Sequence, residues 1–188
     1  MTKRLVSFAA VLLLALGSSV ASADEYQDTI KIFKNAGESG TFFKNAYGYA
    51  VFPTIGKGGV GVGGAFGRGR VYDHGKYVGD ASMTQVTVGF QLGGQAYSQI
   101  VFFQNQSAFQ KFTSGNFAFG AEASAVAITA AAGAKANTTG SSAGISGTKN
   151  AAATVGAYHD GMATFTVAKG GLMYEASIGG QKFGYTPR

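Results

Sequence analysis

The chain contains no cysteine. Disulfides, thiolate nucleophiles and cysteine-held metals are excluded, so the fold must rest on an apolar core. Histidine is nearly as scarce: His74 and His159 are the only two, and both fall in predicted hairpin turns. A metal needs several converging ligands, and His159 beside Asp160 in sequence gives no defined base–orienter geometry. The nine acidic residues are scattered, with Glu122 and Glu175 inside predicted strands. No paired-carboxylate arrangement emerges from them. The reading is a non-enzyme that needs no cofactor and no metal.

Long apolar runs are also missing. Val6 to Leu16 is apolar but too short to cross a bilayer, with Lys3 and Arg4 before it and Ala21-Ser22-Ala23 after it. That order of charge, apolar stretch and small residues is a secretory signal peptide over residues 1–23. No cysteine follows it, so lipid-modified export is excluded. Residues 24–188 then form one domain by size. Formal net charge is +6 for the whole chain and falls to +4 without Lys3 and Arg4. An exported protein of mild positive charge suits an anionic lipid surface or envelope polyanion, and does not meet nucleic acid. The expected location is the periplasm or cell envelope, peripheral on a membrane.

What is abundant is glycine, and it concentrates in Tyr47 to Tyr72, YGYAVFPTIGKGGVGVGGAFGRGRVY. Flexible linkers share such density, but this stretch keeps a two-residue hydrophobic period. If it is extended, Val60 and Val62 point one way and Gly59, Gly61 and Gly63 the other. A strand face stripped to hydrogen lets a neighbour approach closely. The stretch reads as two strands joined by a glycine turn near Gly56 to Gly59, decorated by Lys57, Arg68 and Arg70.

Ahead of it, Asp24 to Ala36 reads as a helix, with Tyr26, Ile30 and Phe33 on one stripe and Gly37 as its stop. Ser39 is positioned to cap a second short helix carrying Phe42, Phe43 and Ala46. Phe42 and Phe43 either pack on the sheet or, with Lys44, form a membrane-inserting edge. Asp73-His74-Gly75-Lys76 is a hairpin turn. Met83 to Gln104 is extended, with Val86, Val88, Phe90 and Leu92 alternating against Gln85, Thr87, Gly89 and Gln91 as in a half-buried strand, bent at Gly93-Gly94. Gln106 to Thr113 is a short helix stopped by Gly115-Asn116. The small-residue segment Phe117 to Ala136 reads as strand, and Asn137 to Asn150 as a polar loop. Strands at Ala152 to His159, Met162 to Ala168, Leu172 to Ile178 and Gln181 to Tyr185 close the chain.

The predicted fold is α+β and β-dominated: an antiparallel, glycine-rich sheet or barrel-like sandwich with two or three short helices, the first two N-terminal. The string Gly59-Val60-Gly61-Val62-Gly63-Gly64 matches a dinucleotide fingerprint, but no helix opens after it. Ile55-Gly56-Lys57-Gly58 lacks the hydroxyl residue a phosphate loop places after its lysine.

Three segments together resemble the SYLF-domain family: YAVFPTIGKGGVGVGGAFGRGRVY, VTVGFQLGGQAYSQIVFFQNQSAFQKF and KGGLMYEASIGGQKFGY. The resemblance implies a lipid-binding module, with actin binding in fungal members, and places basic residues near the N-terminal helix at the lipid. Here Lys31, Lys34 and Lys44 fall in that region. An export signal makes common anionic phospholipids the expected partner and actin an unexpected one. The residues expected at the lipid are Phe42, Phe43, Lys44, Lys57, Arg68, Arg70 and Lys76, on one shared rim. The alternatives are a small integral outer-membrane β-barrel and an envelope structural or interaction module without lipid.

Overall fold

A computed structural model of the protein describes residues 25–60, 62–88, 95–121, 123, 125–128, 157–169 and 178–188. The expected signal peptide 1–23, Gly61, residues 89–94 with the expected Gly93-Gly94 bend, the polar loop expected over 137–150 and most of the strands expected over 152–159 and 172–178 lie outside the described residues.

The first helix, α1, spans residues 25–35. Its stripe of Tyr26, Ile30 and Phe33 is buried as the period requires. The second, α2, is Gly37–Asn45. It starts two residues before Ser39, so Ser39 is not its cap. The Ser39 hydroxyl instead donates to the Phe33 carbonyl at 2.6 Å, tying α2 to the end of α1. A third helix, α3, is Gln106–Thr113, with the Asn105 side chain accepting from the Ala108 amide at 3.0 Å. Gly115 follows at φ 83, the left-handed conformation that stops a helix.

The strands are β1 Gly48–Val60, β2 Val62–Asp73, β3 Lys76–Val88, β4 Gln95–Phe103, β5 Phe117–Ala118, β6 Val126–Ile128, β7 Met162–Lys169 and β8 Lys182–Pro187. They form one curled sheet in the order β5-β8-β3-β2-β1-β4-β7-β6. The sheet is antiparallel as expected, with one parallel pair, β6 and β7, at its edge. The glycine turn expected near Gly56 to Gly59 is also corrected: β1 continues past it, and Val60 and Val62 are the last pair of the β1–β2 hairpin. The hairpin is interrupted instead between Val51 and Thr54, where register shifts against both neighbours. Pro53 sits there, without the N–H a ladder needs. Its carbonyl is satisfied by the Ser98 hydroxyl at 2.7 Å.

The sheet buries residues on both faces. The inner face collects Phe52, Ile55, Met83, Val101, Phe103 and Phe183 against Ala108 and Phe112 of α3. The outer face carries Val51, Tyr72, Ile100, Phe102 and Phe165 under the rings of α1 and α2. The glycines of β2 make the inner layer possible. A Cβ on Gly69 would lie 2.6 Å from two Phe52 ring carbons, and one on Gly67 2.5 Å from Ile55 Cγ1. The stripped face therefore admits the side chains of the adjacent strand.

A polar core sits within this apolar one. Gln99 Nε2 donates to Gln181 Oε1 at 2.9 Å, and Gln181 Nε2 returns a bond to Gln99 Oε1 at 3.1 Å. Gln181 also donates to the Tyr97 hydroxyl at 3.2 Å. Both glutamines are fully buried. The pair ties the chain just before β8 to β4 across the interior.

Candidate functional site

Alternation in β3 is present with its sides exchanged. Gln85 is buried and donates to the Gly179 carbonyl at 2.9 Å, while Val86 is 77% exposed. Ala81, Met83 and Gln85 share the inner face, which leaves Val86 outside. On β2 the same parity turns Val62, Gly64, Phe66 and Arg68 outward and Ala65, Gly67, Gly69 and Val71 inward.

These outward residues meet on the part of the sheet beyond α1 and α2. Gly64 is the register partner of Val86, and Phe66 of Thr84. Val86 thus stands diagonal to both Phe66 and Val62, at roughly 7–8 Å between backbones. On the β1 side, Gly56 pairs with Phe66 and Gly58 with Gly64. A Cβ on Gly56 or Gly58 would meet nothing within 4 Å. Val62 is 65% exposed and Phe66 52%. The result is a bare glycine floor from which one aromatic ring and two valines project.

Cations border it. Arg68 lies in register with Thr54 and Ser82 on the same outer face. Thr84 pairs with Lys182, so the row through Phe66 continues to that lysine. In the other direction the row passes Gly56 and Ala96 to Lys169. Lys169 is engaged, donating to Thr54 at 2.6 Å and to Glu25 at 3.3 Å. The Glu25 carboxyl is held below its ordinary range, first by the hydrogen bond from Thr54 and then by Lys169. Among the described residues, Arg68 and Lys182 have no carboxylate partner.

The seven residues expected at the lipid do not share one rim. Phe42 is buried, stacked on Phe102 and edge-on to Phe165 and Tyr158. Its proposed insertion is corrected: the ring is part of the core. Phe43 is half-buried against Phe102 and Tyr49, with the Lys34 ammonium 5.4 Å from its ring. Lys44 and Lys76 are exposed at the Gly48–Asp73 end of the hairpin. Lys57 is nine residues along β1 from that end, roughly 30 Å away. It pairs with Ala65 and so faces inward, opposite to Arg68. Arg70 lies between rings, its guanidinium 4.2 Å from Tyr26 and 4.9 Å from Tyr77. Burial raises the Tyr26 and Tyr72 phenols, an effect the Arg70 charge partly offsets. Of the seven, only Arg68 borders the exposed apolar face. Phe66, Val62, Val86 and Lys182 were not singled out by sequence; the signal was an aromatic isolated among glycines beside an arginine, AFGRGR.

No three of His, Cys, Asp and Glu converge on a metal-sized space among the described residues. His74 contacts Asp73 at the β2–β3 turn, far in sequence from the His159 turn. A cleft of about 380 Å³ with Phe117, Phe119, Val126, Met162 and Ile178 in its walls opens near the β7–β6 edge.

The class defined by this architecture is a β-rich module, helices on both faces of one sheet, whose distinctive chemistry is an exposed surface. The chain belongs to the SYLF-domain family: the family model Ysc84, described as Las17-binding protein actin regulator, matches residues 84–184. That match runs from the second half of β3 into the first half of β8 and includes Val86 and Lys182, while the glycine-rich β1–β2 hairpin precedes it. A comparison with curated proteins finds no match.

Proposed function

We propose that the protein is a non-catalytic membrane-surface binding module that docks on anionic phospholipid through the outer face of β1, β2 and β3. The observation that carries this reading is Phe66, half exposed on the same face as Val62 and Val86, with Arg68 on its strand, Lys182 in its row and no acid paired to either among the described residues. Exposed apolar residues rimmed by cations fit an interfacial site. Each basic residue near an anionic leaflet contributes about 1 kcal/mol, screened within a Debye length. A fully inserted phenylalanine contributes roughly 1.5–3 kcal/mol, which salt does not screen.

Export through the residue 1–23 segment supports an envelope location and ordinary phospholipids as the partner. The family's description as Las17-binding actin regulators favours a protein partner instead, but one exported from the cytoplasm does not meet actin. An integral barrel is disfavoured because its strands must present one face to lipid, whereas much of the outer face here lies under α1 and α2.

The test is sedimentation with vesicles. The protein is expected to pellet with anionic vesicles more than with zwitterionic ones, and salt should weaken binding without abolishing it. Arg68→Glu should remove the anionic preference, and Phe66→Ser with Val86→Ser the salt-resistant part. Folded variants that pellet like the parent would overturn the assignment of this face.

A further inference from the structure

The curled sheet opens where its two ends approach each other. β5 and β6 are its terminal strands, yet both border the cleft of about 380 Å³, through Phe117 on one side and Val126 on the other. β6 is in register with β7 only over Phe165 to Val167. The start of β7 therefore runs on without a β6 neighbour, and Met162 and Thr164 border the space left there. Phe119 and Ile178 add to the apolar lining.

Two opposite charges stand at the mouth, both on exposed residues. Lys111, in the last turn of α3, holds its ammonium 5.7 Å from the centre of the Phe117 ring. Asp160 comes from the turn before β7, where φ is 50 at Asp160 and 76 at Gly161. Backbone bonds of 2.8 and 2.9 Å between His159 and Met162 close that turn. The turn is seated on α3, since a Cβ on Gly161 would lie 2.9 Å from the Ala108 Cβ. Both charged residues are thus carried by packed elements. Among the described residues neither forms an ion pair, with the other or with a third group. His159 is the remaining titratable group at the cleft.

A volume of about 380 Å³ lies near the small end of the roughly 300–1,000 Å³ of small-molecule sites. It has room for one hydrocarbon chain and not for the pair of a phospholipid. A head of one sign would be attracted by one of the two mouth charges and repelled by the other, whereas a head carrying both signs satisfies both. We propose that the cleft binds a single-chain zwitterionic amphiphile, its acyl chain between β5 and β7 and its head between Lys111 and Asp160. Phe117 and Met162 belong to the inner layer, so this site is independent of the docking face on the other side of the sheet.

The experiment is calorimetric titration of the full chain with octanoyl, decanoyl and lauroyl lysophosphatidylethanolamine, each below its micelle concentration. Every added methylene should tighten binding about fourfold until the cleft is filled. Gly120→Trp is the blocking variant. Gly120 lines the cleft and a Cβ there meets nothing within 4 Å, so the ring enters without a clash at its root. It should abolish binding. Lys111→Gln and Asp160→Asn should each weaken the lauroyl ligand about two- to fivefold, the scale of an exposed ion pair. Asparagine is chosen at Asp160 because it accepts positive φ. Laurate supplies the same chain with an anionic head. It should bind the parent less tightly than the zwitterion, and Asp160→Asn should tighten it. Phe66→Ser with Val86→Ser should lose vesicles yet keep the single-chain ligand, which separates this site from the docking face. A folded parent that binds none of the three, binding by Gly120→Trp equal to the parent's, preference of the parent for laurate, or an Asp160→Asn that fails to weaken the zwitterion would overturn the proposal.

Discussion

Gly69→Ala is the sharpest perturbation the hairpin offers. One methyl group is added, in a strand whose backbone is otherwise ordinary. That methyl would sit 2.6 Å from two carbons of the Phe52 ring and 2.9 Å from the Val51 carbonyl oxygen. Ordinary carbon contacts begin near 3.5 Å, so something must move by close to 1 Å. Phe52 cannot withdraw easily, being fully buried with Phe183 5.6 Å behind it. Overpacking of this kind costs roughly 1–3 kcal/mol. Gly67→Ala should cost a similar amount, because its methyl meets Ile55 Cγ1 at 2.5 Å. Gly56→Ala and Gly58→Ala are the controls on the outer face, where nothing lies within 4 Å. They should be neutral, or stabilise by about 0.4–1 kcal/mol through the unfolded chain. Urea unfolding followed by circular dichroism reads all four, with midpoints shifting at constant slope. If Gly69→Ala unfolds at the parent midpoint, or Gly56→Ala loses as much, the assignment of faces in this hairpin is wrong.

Breaking the buried amide pair should also register. Gln181→Leu leaves the Gln99 side chain buried without its partner and should cost roughly 1–3 kcal/mol, while adding Gln99→Leu should recover part of it; unfolding free energies measured across the double-mutant cycle check this. Alkaline stability should follow Tyr49 and Tyr97, whose phenols burial pushes from 10.0 up to about 12. Because the folded pKa is the higher one, their contribution is complete below pH 10 and is lost as pH rises toward 12. Phenolate absorbance should show a delayed titration that Tyr97→Phe shortens; titration of every tyrosine near 10 would refute it. On the acid side, Glu25 is depressed below 4.5, so its contribution is present above that pH and declines below it. Glu25→Gln should flatten that part of the pH–stability curve, and an unaltered curve would remove the Glu25–Thr54–Lys169 contact from the account. If export processing follows the signal-peptide reading, the intact mass of the exported protein should place its first residue at Asp24.

The helices were legible because their signals are local. The Tyr26, Ile30, Phe33 stripe and the Gly115 stop each lie within a few residues of the helix they define. The turns at His74-Gly75 and Asp160-Gly161 were legible for the same reason, all four residues having positive φ. The buried side of β3 was not, because alternation gives a period and no sign. The sign comes from Gln85 reaching the Gly179 carbonyl 94 residues away. That one choice turns Val86 outward beside Phe66, so the exposed face could not be read before the register was known. Phe42 failed differently: a ring on a short helix next to a lysine reads alike whether it inserts or packs, and only Phe102 and Phe165 on distant strands decide it.

The chain contains no tryptophan, which makes a single introduced one a clean reporter of the docking face. Phe66→Trp should keep the fold, since the site is half exposed and its neighbours Gly56 and Gly64 leave room. On addition of anionic vesicles its emission should shift to the blue and be quenched by lipids brominated along their acyl chains. Unchanged, unquenched emission from protein that has pelleted with those same vesicles would place the lipid elsewhere and contradict the account.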